Sequence, residues 1–535
     1  MGNYSYCHQT KWLRNRSRCF FCFCRHRLPF GINELRSQKS DFMNMQNGKI
    51  CVSVCASRIE NLHLNSVKNA DLIEIRLDCL ENFENLNFLT HLSGNFILTY
   101  RPEEQGGKRP LSKQARLEFW KRLENLSFKG EILIDCEYDL FPEAASFKFN
   151  KIVSFHSFAE AVKPEKIYET LREKAGIMKI AVYVEEATDA IELWKLLKKA
   201  ASEGIKLIPI AMGEGGKWTR ILGLAHGAYL TYASLNEFSE TAPGQISIFD
   251  LTEIYRVKQI NKETEVYAII AGNTEYSMSP YMHNTAFRYH GLNAVFVPMQ
   301  VKNLENFIRR MVKETREIEL NFKGFAVTNP HKEKIIEYLD EVDSTAREIG
   351  AVNTIKIENN RLIGFNTDCK GFIEPLLNVY GDLKEARVAV FGAGGAARAC
   401  IYALKKHGAD ATVFARNLKK ASNLCSEFGV ELQPITDNAL KGFDILINAT
   451  PLGTKGEFEN ESVVTAEQIR EIKLVYDLVY NPFQTKLMQE ADKAQVPKIG
   501  GLAMLVAQAI EQQRIWTGLE APMKEMSEAV LRRLK

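Results

Sequence analysis

RVAVFGAGGAARACIYALKKHG, from Arg387 to Gly408, passes from an apolar β-branched run into a glycine-rich turn and then a helical pattern that Gly408 stops. A strand over Val388 to Phe391, the turn Gly392-Ala393-Gly394-Gly395-Ala396-Ala397 and a helix are the order that a dinucleotide-binding βαβ unit requires. Gly392 permits the tight turn, Gly394 lets backbone approach a pyrophosphate, and Ala397 allows close helix–sheet packing. Ala393, Gly395 and Ala396 complete the expected phosphate-facing loop.

The next strand pattern, DATVFARN, ends in Arg416 with no acid at its tip. An acid there binds the ribose hydroxyls of NAD, whereas a guanidinium suits a 2′-phosphate, so the expected cofactor is NADP(H).

Toward the N-terminus the pattern changes. ICVSVC, LIEIRL, FILTY, ILIDCE, IVSFH, KIAVYV, KLIPIAM and AYLTYA are eight strand candidates between Ile50 and Ala233, separated by polar, helix-like stretches. Strand–helix alternation implies a parallel sheet of right-handed βαβ units, and eight of them predict closure into a (β/α)8 barrel over residues 49–250. The overall expectation is an α/β chain: barrel first, then an α/β lobe and a Rossmann lobe. DLTEIYRVKQINKETE, from Asp250 to Glu265, reads as a closing helix and a charged linker too short for wide separation, so the halves are expected to touch.

Composition fits this reading. The chain has 535 residues, 45% hydrophobic and 25% charged, with a net charge of +3. Residues 1–48 carry +6 of that, which leaves the remainder slightly acidic and argues against nucleic-acid binding. No apolar run approaches the ~18–20 residues a membrane span needs. The basic, Cys-rich tail reads as a disordered extension, with Met43 or Met45 as alternative starts; its six-residue apolar stretch is too short for a secretory signal. Cys22, Cys24 and His26 have a spacing that fits no tetrahedral zinc framework, and no metal is expected anywhere. The seven other cysteines are scattered singly and read as reduced, buried thiols of a cytoplasmic protein, with a plastid transit peptide as the alternative for the tail.

Chemistry in a barrel collects where strands end. Glu74 and Arg76 stand two apart and share a strand face; Arg101 ends FILTYR, Asp135 ends EILID, His156 ends IVSFH, and Lys179 sits inside MKIAVYV. A buried lysine has a lowered pKa, and its neutral amine can attack a ketone. A salt-bridged core residue is the ordinary reading of Glu74 or Asp135 alone; five strands delivering such groups together is not packing.

These stretches, with the TYRP…GG loop, SFHSF, KWTRILG and TAPGQIS (Thr241 to Ser247), resemble the type I 3-dehydroquinate dehydratases over nearly all of residues 49–250. The resemblance implies that Lys179 forms an imine with the substrate ketone, and that His156 removes the adjacent proton and then protonates the leaving hydroxyl. Arg76, Arg101 and Arg220, with Glu74, would hold the substrate, Gln245 would close the site, and Thr241 keeps a hydroxyl where the family has Ser. Where the family has Glu before the GG as a partner for the histidine, this chain has Gln105.

GNTEYSMSPYMHN, GFAVTNPHKE, AVNTI, GFNTD, NATPLG, YDLVYNP and GGLAMLVAQA resemble shikimate dehydrogenase in that order across residues 265–520. The resemblance implies a substrate lobe at 265–380, completed by 501–535, and a dinucleotide lobe at 381–500. Ser277 and Ser279 would bind the substrate carboxylate, Thr328 and Asn353 its hydroxyls, and Lys332 with Asp368 would form the catalytic pair. Tyr480 and Gln508 would contact substrate, although Gln508 lies off the apolar stripe of its helix; Asn448, Thr450 and Gly453 would line the nicotinamide side. Asn366 and Thr367 read as turn formers. Ala326 stands where the family has Asn, and Ala415-Arg416-Asn417 keeps only the Arg of its phosphate motif.

The expected partners are 3-dehydroquinate, 3-dehydroshikimate and shikimate, with neither nucleic acid nor membrane; the oligomeric state is left open. An NAD-dependent quinate or shikimate catabolic enzyme and a quinate-sensing regulator without catalysis are the alternatives.

Overall fold

Alternate residues along a strand face opposite sides, so a barrel strand whose inward positions are polar near its C-terminal end builds a site on an apolar floor. The computed structural model describes residues 48–534 apart from 65–66, 82–85, 159–162, 314–317 and 435–439. The expectations for the tail, including Cys22, Cys24, His26, Met43 and Met45, lie outside these residues.

Eight parallel strands follow chain order around the first sheet: β1 (Lys49–Val54), β2 (Leu72–Arg76), β3 (Asn95–Thr99), β4 (Glu131–Glu137), β5 (Asn150–Ser157), β6 (Ile177–Tyr183), β7 (Lys206–Met212) and β8 (Leu230–Ser234). β8 returns to pair with β1, and Tyr229 N–H donates to the Leu207 carbonyl to join it to β7, curling the sheet into a barrel. A short β9 (Ile246–Ser247) adds to β8. Cys51, Leu72, Ile97, Leu133, Ile152, Ile177 and Ile208 form the apolar floor. Two positions on, the same strand faces carry Ser53, Glu74, Thr99, Asp135, Ser154 and Lys179. The register pairs Ser53 with Glu74, Thr99 with Asp135, and Ser154 with Lys179, so the polar residues form one layer.

The second half holds two sheets. One is mixed, in the order β11 (Ala294–Gln300), β10 (Glu265–Ala271), β12 (Phe322–Val327), β14 (Thr354–Glu358), β15 (Arg361–Phe365) and β13 (Glu341–Val342). The other is wholly parallel: β18 (Glu431–Gln433), β17 (Asp410–Phe414), β16 (Arg387–Phe391), β19 (Ile445–Asn448), β20 (Leu474–Asp477) and β21 (Lys498–Ile499). Its order reverses at β16, which places the ligand crevice of a doubly wound sheet at the glycine turn after that strand. Four helices matter below: α1 (Ser279–Tyr289), α2 (Asp368–Tyr380), α3 (Gly395–Lys406) and α4 (Gly501–Thr517).

The two halves touch. Glu186 Oε2 accepts from the backbone N–H groups of Lys302 (2.7 Å) and Asn303 (2.8 Å), and Trp194 Nε1 donates to the Ile318 carbonyl at 2.9 Å. No described helix is long and apolar enough to cross a membrane, and no group of three or more metal-ligating side chains occurs among the described residues.

One sequence expectation fails: Cys55 and Cys79 are joined in a disulfide rather than being reduced thiols. β1 and β2 are adjacent and parallel, so the turns beyond their ends bring the two Cα atoms within 5.6 Å. Cys51, Cys136, Cys400 and Cys425 are buried and free, and Cys369 is half-buried and free.

α2 crosses α4 at Gly371, where an added Cβ would lie 2.7 Å from the backbone nitrogen of Gln508. Because that obstacle is backbone, Gly371→Ala is expected to lower unfolding free energy by about 1–3 kcal/mol, read as a lower urea midpoint with an unchanged m-value.

Candidate active sites

The polar layer of the barrel lines a cavity of about 280 Å³. Every barrel residue singled out in the sequence borders it except Asp135: Glu74, Arg76, Arg101, His156, Lys179, Arg220, Thr241 and Gln245, with Gln105 at the rim. Asp135 sits fully buried just beneath. Its Oδ2 accepts from Lys179 Nζ (2.9 Å) and Arg101 Nη2 (2.7 Å), and its Oδ1 accepts from the Ser154 hydroxyl. Burial alone would raise the Asp135 carboxyl, but Arg101, Lys179 and His156 hold it well below the usual carboxylate range. Lys179 moves the other way. Burial pulls its ammonium below the usual lysine range, Asp135 opposes this, and Arg101 reinforces it.

His156 faces the cavity with no partner on either ring nitrogen, and both nitrogens are buried; the Tyr232 hydroxyl is likewise unpaired. Burial, then the charges of Arg101 and Lys179, push its pKa well below the usual histidine value, so the ring is neutral near pH 7 and free to accept a proton. Gln105 does not pair with it. The Gln105 amide donates to Asp139 at 3.3 Å, while Glu103 and Glu104 are exposed.

The remaining groups are held in place. Glu74 accepts from Ser53 Oγ (2.5 Å) and Thr99 Oγ1 (2.7 Å), and Arg76 is fixed by a bidentate contact to Asp78 at 2.9 and 2.7 Å. Gln245 Oε1 accepts from the Thr241 backbone N–H (2.8 Å) and hydroxyl (3.1 Å), which turns its amide toward Ser53. Arg220 is buried with its Nε unpaired, and burial pulls it down to about 10. Ser53 and Tyr232 were missed in the sequence. Both border the cavity in phase with Cys51 and Leu230, so the period-two rule points to them.

A second cavity, of about 390 Å³, lies between the mixed sheet and the glycine turn. Ser277, Ser279, Thr328, Lys332, Asn353, Asp368, Tyr480 and Gln508 all line it, as does Ala396 of the loop. Lys332 Nζ donates to Asp368 Oδ2 at 2.5 Å, and Asn353 Nδ2 donates to Asp368 Oδ1 at 2.8 Å. Asp368 is the first residue of α2, where the helix N-terminus favours a carboxylate. Burial pushes Tyr480 up to about 12, so it is a donor throughout the physiological range. Gln508, off the apolar stripe of α4, is nonetheless buried, because α2 covers that side of the helix. Ala326 borders the cavity and offers no polar group. Asn366 bonds the backbone N–H groups of Asp368 and Cys369 and does not line the cavity. Gln512, unnoticed in the sequence, also lines it; it stands one turn beyond Gln508, an i, i+4 relation that could have found it.

The dinucleotide loop lies beside this cavity. Gly392 has φ +119°, and a Cβ there would lie 2.7 Å from the Ala449 carbonyl oxygen, so only glycine fits the turn. A Cβ on Gly394 would meet open space, and α3 starts without a side-chain cap, leaving its first N–H groups for an anion. A Cβ on Gly395 would come within 3.1 Å of the Lys332 chain, so lysine and loop adjoin. Arg416 is exposed just past β17, next to β16 in the sheet. Asn448 is fully buried: its amide donates to Asp477 at 2.9 Å and its carbonyl accepts from the Thr450 hydroxyl at 2.6 Å, which shapes the turn carrying Thr450 and Gly453.

Fold and sites together define a chain of two enzyme modules, a lysine-bearing barrel and a two-lobed dinucleotide-dependent dehydrogenase. Residues 50–262 match the type I 3-dehydroquinase family, 269–355 the shikimate dehydrogenase substrate binding domain, 376–487 the shikimate/quinate 5-dehydrogenase family, and 501–531 the shikimate 5′-dehydrogenase C-terminal domain. The chain is 33% identical over 512 residues to the chloroplastic bifunctional 3-dehydroquinate dehydratase/shikimate dehydrogenase of Arabidopsis thaliana, covering 88% of this chain and 82% of that protein. It is 41% identical over 281 residues to the shikimate dehydrogenase (NADP(+)) of Methanocaldococcus jannaschii, covering 51% of this chain and 98% of that one. The Aquifex aeolicus shikimate dehydrogenase (NADP(+)) is 36% identical over 49% of this chain and 95% of its own. The chain belongs to the bifunctional 3-dehydroquinate dehydratase/shikimate dehydrogenase family.

Glu137, next to the barrel site, supplies a pH test. Burial and the charge of Asp135 push its carboxyl up to about 8, outweighing the Arg116 contact at 3.1 Å. A carboxyl raised above its ordinary value of 4.5 stabilises the fold below that pH, and the contribution is lost as pH rises through about 8. Unfolding free energy of the wild type relative to Glu137→Gln is therefore expected to fall between pH 5 and pH 8, by at most about 1.4 kcal/mol per pH unit, measured by urea titration across that range.

Proposed function

We propose that the chain dehydrates 3-dehydroquinate to 3-dehydroshikimate in the barrel and reduces that product to shikimate with NADPH in the second half. The observation that carries the barrel reading is a buried lysine sharing one carboxylate with an arginine, beside a histidine with both ring nitrogens free.

The neutral Lys179 amine attacks the substrate ketone and loses water to form an imine. Once protonated, the imine draws electrons and acidifies the adjacent C–H, whose proton His156 takes; the C–C double bond forms as the hydroxyl leaves, protonated by the same imidazole. Hydrolysis of the imine returns the amine. Arg76, Arg101 and Arg220 fit a carboxylate and hydroxyls, and Gln245 with Thr241 covers the substrate.

In the second cavity Ser277 and Ser279 bind the substrate carboxylate, and Thr328, Asn353, Tyr480 and Gln508 orient the ring. Gly392, Ala393, Gly394, Gly395 and Ala396 hold the pyrophosphate, Arg416 the 2′-phosphate, and Asn448 with Thr450 shapes the wall beside the nicotinamide. Bound NADPH supplies the hydride. Lys332, oriented by Asp368, gives its proton to the ketone oxygen.

The test is NADPH oxidation by the purified chain. Wild type is expected to oxidise NADPH from 3-dehydroquinate, and Lys179→Ala only from 3-dehydroshikimate. Lys332→Ala is expected to lose ~10²–10⁴-fold in dehydrogenase kcat while still dehydrating. Borohydride with 3-dehydroquinate should label the Lys179 peptide. Silence of the wild type with both substrates overturns the reading.

A further inference from the structure

Behind Asn353 runs a buried chain of hydrogen bonds anchored at both ends by backbone groups whose roles are fixed by chemistry. Gln512 Nε2 lies 3.3 Å from the Asn353 backbone carbonyl, which only accepts, so the amide nitrogen of Gln512 must face it. The same nitrogen lies 3.0 Å from Thr354 Oγ1, and its two protons are thereby used. Gln512 Oε1 consequently faces His283 Nε2 at 3.1 Å and accepts its proton. His283 Nδ1 is left as an acceptor for Gln513 Nε2 at 2.9 Å. Burial pulls His283 down to about 3, so the ring is neutral with its single proton on Nε2, and it is stacked on Phe296 at 4.5 Å between centroids.

Thr354 Oγ1, with the Thr367 hydroxyl a longer neighbour at 3.4 Å, accepts from Gln512 and donates to Asn353 Oδ1 at 2.8 Å. The Thr367 backbone N–H donates to that same oxygen at 2.8 Å. With Oδ1 claimed by two donors, Asn353 turns its Nδ2 toward Asp368 Oδ1 at 2.8 Å, and Asp368 presents Oδ2 to Lys332. All these residues except Lys332 are buried, so no bulk water competes for the bonds.

We propose that Gln512 and His283 are positioning residues of the dehydrogenase site, setting through Thr354 which face of the Asn353 amide meets Asp368 and so the angle at which Asp368 holds Lys332. The inference rests on the dehydrogenase reading above. His283 does not border the cavity; Gln512 does, but its hydrogen bonds go to Thr354, the Asn353 carbonyl and His283. Each acts through Asn353, and a donor turned away there leaves one carboxylate oxygen of Asp368 free to rotate off Lys332.

The experiment compares Gln512→Met, which keeps volume and removes both ends of the relay, with Thr354→Val and Thr354→Ser. Shikimate oxidation is assayed in the full chain, and dehydration of 3-dehydroquinate in the same preparation serves as the report on folding. Gln512→Met and Thr354→Val are expected to lower dehydrogenase kcat by ~10–100-fold, with the KM for NADP⁺ and the dehydratase kcat within twofold of wild type. Thr354→Ser restores the hydroxyl and is expected to restore kcat. In ¹⁵N-histidine spectra the wild type should show His283 as the neutral Nε2–H form from pH 5 to 9, a form that Gln512→Met should no longer hold. An unchanged kcat in both the Met and the Val variants, or a Ser variant as slow as the Val one, overturns the relay while leaving the reaction standing. A wild type inactive toward shikimate overturns the reaction and the positioning role together.

Discussion

A carboxylate taken fully out of water is costly unless cations repay the lost hydration, and Asp135 has two of them. The parallel barrel makes that arrangement obligatory, because the inward positions of β3, β4, β5 and β6 meet in one layer with no path to solvent from below. Arg101 and Lys179 both contact the Asp135 carboxylate. When two cations share one anion in a buried site, the excess charge is shed by the weaker base, and lysine is weaker than arginine by ~2–3 pH units. Burial first, reinforced by Arg101, therefore lowers Lys179 rather than the arginine. Burial, then the charges of Arg101 and Lys179, also push His156 below the usual histidine value, so one buried layer shifts both groups.

The second site is balanced differently. Lys332 has Asp368 to itself, and that carboxylate is also held by Asn353 and by the start of α2. Here one cation faces one anion. The two lysines thus differ in how many cations their carboxylate serves.

Much of this was legible in the sequence because strand periodicity is a strong constraint. Glu74, Asp135 and Lys179 interrupt apolar runs at positions two beyond a floor residue, and the structure brings them into one layer. The glycines of the dinucleotide turn were legible for a related reason: Gly392 occupies a backbone conformation closed to other residues. What stayed hidden depends on contacts between distant segments. The Cys55–Cys79 bridge needs the register of two strands and the geometry of two turns, neither encoded in cysteine spacing. Gln508 looked like an outer position of α4, and Gln512 went unnoticed, because helical periodicity identifies one buried face, and this helix is covered on more than one side by α2 and by β12 and β14. The consequence of Gln105 was legible only as a substitution. That it leaves His156 without a carboxylate and instead bonds Asp139 is a matter of side-chain direction.

His156 in turn shows what an unpaired group implies. A buried imidazole with neither nitrogen bonded forgoes stabilisation that a partner would supply. Such a deficit persists where the missing partner is a substrate. Around it several polar groups are already held, Glu74 by Ser53 and Thr99, Arg76 by Asp78 and Gln245 by Thr241, while the Tyr232 hydroxyl and Arg220 Nε are unpaired like the imidazole. Those fixed groups give the cavity its shape before anything binds, and the open imidazole stands on the strand next to that of Lys179. Substrate binding therefore completes hydrogen bonds at the point where protons must move, and rearranges little elsewhere.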